Sequence, residues 1–228
     1  LGWVTFIYDW DWPAAEREFL RAVELNPRYA TARQWYSWFL AAMGRFEEGL
    51  AQGREAIELD PASVSIRRSM GWLLYYGRRY EAALDNLRRA HSMNPTAEET
   101  HRLIGLVHLQ QGRYDEAGRS FNEALSSAPQ DALALAGLGH VAARQGRTAD
   151  ALAVLRELDE RAKTRYVSPV AQAGLYVTLG YADRAFEWLE KAYQDRRGWM
   201  AYLKIEPMLD GLRSDPRFQR LLERMRLL

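Results

Sequence analysis

The chain has 228 residues, 48% of them hydrophobic, a formal net charge of +1 and no cysteine. That apolar content suffices for a substantial core, and the near-neutral charge gives no global preference for an acidic or basic partner. The absence of cysteine excludes disulfides, thiolate metal sites and a cysteine nucleophile. The longest notable uncharged stretch, Tyr166 to Ala182, carries Pro169, Gln172 and Thr178 and fits a repeat helix better than a membrane span, so no span is expected. The chain opens at Leu1 without a methionine or a signal-like segment and reads as a piece of a longer protein.

Apolar residues recur at helical spacing between glycine and proline punctuation. The pattern predicts helix pairs near residues 1–9/13–25, 30–43/46–59, 64–76/80–93, 98–111/114–127, 132–145/148–161 and 169–179/182–195. Asp131 before an apolar run reads as an N-cap. Ser168-Pro169 and Asp215-Pro216 read as a cap followed by proline at the first helical position. A last helix is expected near 216–227, with Phe218, Leu221, Leu222 and Met225 on its apolar face and Arg217, Arg220, Arg224 and Arg226 opposite. No run alternates at period two, so no strand is expected.

The pairs share one period. Pro27, Pro61, Pro95 and Pro129 are each 34 residues apart. Small residues keep the same phase: Ala15, Gly49, Ala83 and Ala117; Ala22, Ala56, Ala90 and Ala124; Gly71, Gly105 and Gly139. Such residues let two helices approach closely. The string Gly44-Arg45-Phe46-Glu47-Glu48 returns as Gly112-Arg113-Tyr114-Asp115-Glu116, with the glycine placed to end one helix in a left-handed cap. The carboxylates fall at the positive N-terminus of the next helix.

On these markers the chain resembles the tetratricopeptide repeat family over residues 1 to about 195. The resemblance implies an all-α fold, a right-handed solenoid of about six helix pairs, with units near 1–29, 30–63, 64–97, 98–131, 132–165 and 166–195. Segment 196–228 is then expected to cap the open end of the array. A narrower resemblance rests on Arg165-Tyr166-Val167-Ser168-Pro169, Trp188-Leu189-Glu190-Lys191-Ala192-Tyr193 and Leu212-Arg213-Ser214-Asp215-Pro216-Arg217-Phe218, with Tyr8-Asp9-Trp10-Asp11-Trp12 near the start. These strings are similar to C-terminal repeat arrays of large bacterial signalling and transcriptional regulators. That implies the sensory or docking part of such a protein, cytoplasmic, with the extracytoplasmic part of a membrane-anchored regulator as the alternative.

In this family the first helix of each pair lines a concave groove. By that resemblance the ligand-binding positions are Gln34, Trp35 and Trp38, then Arg68, Trp72, Tyr75 and Tyr76, then Arg102, and finally His140 and Arg144. Trp38, Trp72, Leu106 and His140 are 34 apart and should form a ladder. Tryptophan and arginine dominate binding energy at interfaces, so a protein or peptide partner is expected. The open first unit presents Trp3, Phe6 and Trp10, which suggests a second copy or a preceding segment as an alternative partner. The arginines and aromatics also resemble a base-stacking surface, but neutral net charge disfavours nucleic acid.

Nothing points to catalysis. The chain has no Gly-x-x-x-x-Gly-Lys, His-Glu-x-x-His or Gly-x-Ser-x-Gly string. His101 and His108 are seven residues apart, but no cysteine or placed carboxylate completes a tetrahedral metal set. A non-catalytic scaffold without metal or other cofactor is expected.

Overall fold

A computed structural model describes all residues, Leu1–Leu228. The helix pairs follow the predicted phase closely. They are α1 (Gly2–Val4) with α2 (Trp12–Leu25), α3 (Ala30–Ala42) with α4 (Phe46–Leu59), and α5 (Val64–Tyr76) with α6 (Tyr80–Met93). Next come α7 (Glu98–Gln110) with α8 (Tyr114–Ser127), α9 (Ala132–Arg144) with α10 (Thr148–Ala162), and α11 (Pro169–Thr178) with α12 (Ala182–Gln194). Two 3-10 helices follow, Gly198–Tyr202 and Pro207–Leu212, before α13 (Pro216–Arg224). There is no strand.

Local chemistry explains the regularity. The turn inside each pair is a left-handed cap. Gly44, Gly112, Gly146 and Gly180 take φ of +74° to +82°. The following residue donates back across the turn, as from Arg45 N to Leu40 O at 2.8 Å and from Arg147 N to Ala142 O at 2.9 Å. The α5–α6 turn makes the same bond, Arg79 N to Leu74 O at 2.8 Å, but places Arg78 rather than glycine at the left-handed position, with φ of +59°. Each α2, α4, α6 and α8 ends at Asn26, Asp60, Asn94 or Ala128, in extended backbone that the following proline enforces.

Two helix ends differ from expectation. The first helix is α-helical only to Val4 and widens into a π-turn over Thr5–Asp9, ending at Trp10 with φ of +56°. The last helix stops at Arg224, because Arg226 turns left-handed and Leu227 N reaches back to Leu222 O at 2.9 Å. Asp131 caps α9, accepting from Leu133 N and Ala134 N, whereas Ser168 makes no side-chain cap and Pro169 alone sets the start of α11.

The small-residue positions mark close helix contacts. Ala15, Ala83, Ala117, Ala151 and Ala185 are fully buried. A Cβ added at Gly105 would sit 2.7 Å from Phe121 Cε1, well inside van der Waals contact.

Contacts group the chain into two units. One comprises Leu1–Pro95, Arg196–Glu206 and Arg220–Leu228; the other comprises Thr96–Asp195 and Pro207–Gln219. Segment 196–228 contributes residues to both units. In the second unit, Arg217 donates to Asp183 at 2.7 Å and lies over the Phe186 ring at 4.2 Å, covering the last pair. In the first unit, the C-terminal residues return to the opening pair, where Trp12 Nε1 donates to Met225 O at 2.8 Å.

The face of the first pair expected to be open is therefore covered at Phe6 and Trp10. Phe6 is fully buried and Trp10 nearly so. Tyr202 meets the Phe6 ring edge-on at 5.6 Å, and Arg196 lies 5.2 Å over the Trp10 ring while donating to Tyr8 O. The sequence reading missed this cover because it lies nearly the whole chain away.

Candidate functional site

The first unit brings four of the predicted groove residues, Trp38, Trp72, Tyr75 and Tyr76, together. The 34-residue register carries through: the Trp38 and Trp72 rings lie 6.2 Å apart. Tyr76 stacks on Trp72 at 5.5 Å and meets Trp38 edge-on at 6.4 Å. Tyr75 closes the cluster against Trp72 at 5.7 Å. These side chains come from α3 and α5 and form one aromatic wall.

That wall already holds a guest. Segment 198–206 inserts Tyr202 among Phe6, Trp38 and Tyr76, stacked on Tyr76 at 5.6 Å with ring planes 7° apart. Four residues later, the buried carboxylate of Glu206 accepts a hydrogen bond from Tyr75 Oη at 3.1 Å. Burial, then the Glu206 charge, hold the Tyr75 hydroxyl well above the usual phenol range. Burial alone does the same for Tyr202, whose hydroxyl has no hydrogen-bond partner. Met200, Leu203 and Ile205 of the segment are buried beside it.

The remaining predicted residues are dispersed. Gln34 is buried, its amide nitrogen donating to Ser69 Oγ at 2.5 Å and Ser65 Oγ at 3.2 Å. Trp35 stays 40% exposed, its ring 5.7 Å from Trp3. Arg68, Trp38 and Trp72 are half-buried. In the second unit, Arg102 Nη1 is engaged by Asp131 at 2.9 Å. His140 is only 5% exposed, with Nδ1 2.8 Å from Thr178 Oγ1. Burial, reinforced by the exposed Arg144 guanidinium, lowers its pKa to about 3, so the ring is neutral. His101 is buried too, with Nδ1 2.9 Å from Glu123 Oε2.

The wall thus holds an aromatic side chain and a carboxylate four residues apart in the same chain. The sequence signal for the guest was the aromatic, apolar run Trp199–Lys204, which has no place in the 34-residue phase.

A family model described as Tetratricopeptide repeat matches residues 8–64, 68–132 and 103–165. The chain belongs to the tetratricopeptide repeat family. Arrays of this family act as protein-interaction scaffolds. A search of curated protein sequences finds no match. Among solved structures, the fold is similar to a tetratricopeptide repeat protein from Parabacteroides merdae, 17% identical over 95% of this chain and 93% of that one, with a TM-score of 0.60. It is likewise similar to PilW, a type IV pilus biogenesis factor, 18% identical over 89% and 90% of the two chains, TM-score 0.62. The pilF protein of Pseudomonas aeruginosa is 18% identical over 85% and 88%, TM-score 0.57. These likenesses establish the fold, a tetratricopeptide-type all-α array. No helix is long and apolar enough to cross a membrane.

Proposed function

We propose that this tetratricopeptide chain is a non-catalytic scaffold whose N-terminal aromatic wall retains its own segment 198–206. Partner proteins or peptides dock on the edge of the wall that this segment leaves uncovered. The observation that carries the reading is Trp35, an indole 40% exposed beside Trp3 on a wall otherwise filled. Large aromatics left partly in water are typical anchors of protein interfaces. Arg68 and the half-exposed rims of Trp38 and Trp72 extend the surface. Tyr75, Tyr76, Gln34, Arg102 and His140 serve the fold, and their side chains are used internally.

We infer further that the array is the docking part of a multidomain bacterial regulator. The support is the similarity of the strings around Arg165, Trp188 and Leu212 to such proteins.

Site-specific photo-crosslinking tests the docking edge. A benzophenone amino acid at Trp35 should capture a discrete partner from a lysate of the source cells. The same group at exposed Arg88 on α6 should not. Identical adducts from both positions, or none from Trp35, would remove the surface from consideration.

A further inference from the structure

The second unit contains a cleft of about 580 Å³ between α8, α9 and α10, remote in sequence from the N-terminal wall and independent of it. Its origin is a single substitution in the repeat. Residues 50, 84, 118 and 152 occupy the same place in successive units, 34 apart. Leu50 and Leu84 are buried there, and Leu152 packs against the core of the fifth unit. In the last unit the same position is Phe186, covered by Arg217. Only the fourth unit has glycine. A Cβ built at Gly118 meets nothing within 4 Å. The chain therefore leaves vacant the volume that its second, third, fifth and sixth units fill with a large apolar side chain; the first unit has Glu16 there.

The vacancy has an apolar floor of Leu138, Val141, Ala142 and Val154. Its rim is charged. Arg147 is committed to Asp150 at 2.7 Å and to Gln145. Arg119, one residue after the notch, is exposed and makes no ion pair or hydrogen bond within the chain. The site thus offers an apolar hole beside the Arg119 guanidinium, which can receive a carboxylate, while Asp115 on the same rim accepts from Gln145 at 3.4 Å. Clefts of this volume are in the range that holds small ligands and peptide segments.

We propose that the Gly118 notch binds a partner peptide through a leucine-type side chain carried next to a carboxylate. The side chain takes the place that Leu50, Leu84 and Leu152 take in their own units, and Arg119 receives the acid. N-acetyl-L-leucine is the minimal probe that carries both groups. Titrated into the full chain with isotope labelling, it should shift the amide resonances of Gly118, Leu138, Val141 and Ala142 in a saturable manner. A ligand this small should have a dissociation constant on the order of millimolar. N-acetyl-L-leucinamide should bind several-fold more weakly, and N-acetylglycine should leave these resonances in place. Gly118→Leu should abolish the shifts while melting at or above the wild-type temperature, because the new side chain fills the hole and glycine is a poor helix former. Arg119→Gln should erase the difference between acid and amide. The proposal is overturned if the leucine probe shifts none of these resonances, if N-acetylglycine shifts them equally, if the shifts survive Gly118→Leu, or if Gly118→Leu lowers the melting temperature.

Discussion

Tyr76 and Tyr202 stack face to face, ring centroids 5.6 Å apart and planes 7° from parallel, although 126 residues separate them in sequence (202 − 76). Tyr202 also touches Phe6 and Trp38, so one side chain joins the π-turn of the first pair to α3 and α5. Removing that ring leaves a cavity bounded by three aromatics. Tyr202→Ala should lower stability by about 3–5 kcal/mol in urea denaturation. Tyr202→Phe should be neutral or slightly stabilising, because it deletes a buried hydroxyl that has no partner. A large loss in the phenylalanine variant would show that the hydroxyl is bonded.

His140 sets an acid limit. The buried ring resists protonation until about pH 3, while the unfolded chain takes up the proton near 6.5, the ordinary value for histidine. The unfolded chain therefore binds more protons between these values, and stability falls as pH drops through that window. The slope contributed by this one residue approaches about 1.4 kcal/mol per pH unit. Denaturation of wild type and His140→Gln should converge as pH falls from 6.5 toward 3. Parallel curves would show that His140 is protonated in the folded chain.

Gly105 lies where α7 meets α8. Any Cβ there would sit 2.7 Å from the Phe121 ring, and a leucine would force the helices apart. Gly105→Leu should cost about 3 kcal/mol or more. An unchanged melting temperature would mean that the two helices have room to separate.

Arg78 stands at the left-handed turn position where four other turns have glycine. A left-handed non-glycine residue carries about 1–2 kcal/mol of backbone strain, and glycine returns part of this through the freer unfolded chain. Arg78→Gly should therefore stabilise the chain by up to about 1 kcal/mol, read as an upward shift in denaturation midpoint. A drop would mean that the Arg78 side chain contributes more than the strain it imposes.

The repeat phase made the helix pairs legible. Proline at 34-residue intervals ends the first four second helices, and glycine before Arg45, Arg113 and Arg147 ends three of the first ones, because backbone geometry favours those residues there. The Trp38–Trp72 contact followed from the same register. The guest of the wall did not. Tyr202 and Glu206 act through contacts more than a hundred residues distant, which leave no periodic trace. Only the break in phase after Arg197 signalled that this segment does something other than continue the array. Exposure was similarly hidden. Nothing at the sequence level separates Trp35, 40% exposed, from Tyr75, fully buried.

Native-state amide hydrogen exchange on the intact chain is the most direct test that segment 198–206 belongs to the aromatic wall. Protection of Leu203 and Glu206, whose amides bond to Met200 O and Tyr202 O, should match that of α3 and α5 and be lost with them in one cooperative step. Exchange of these amides at the rate of an unstructured peptide, while α3 and α5 stay protected, would show that the segment is not held there.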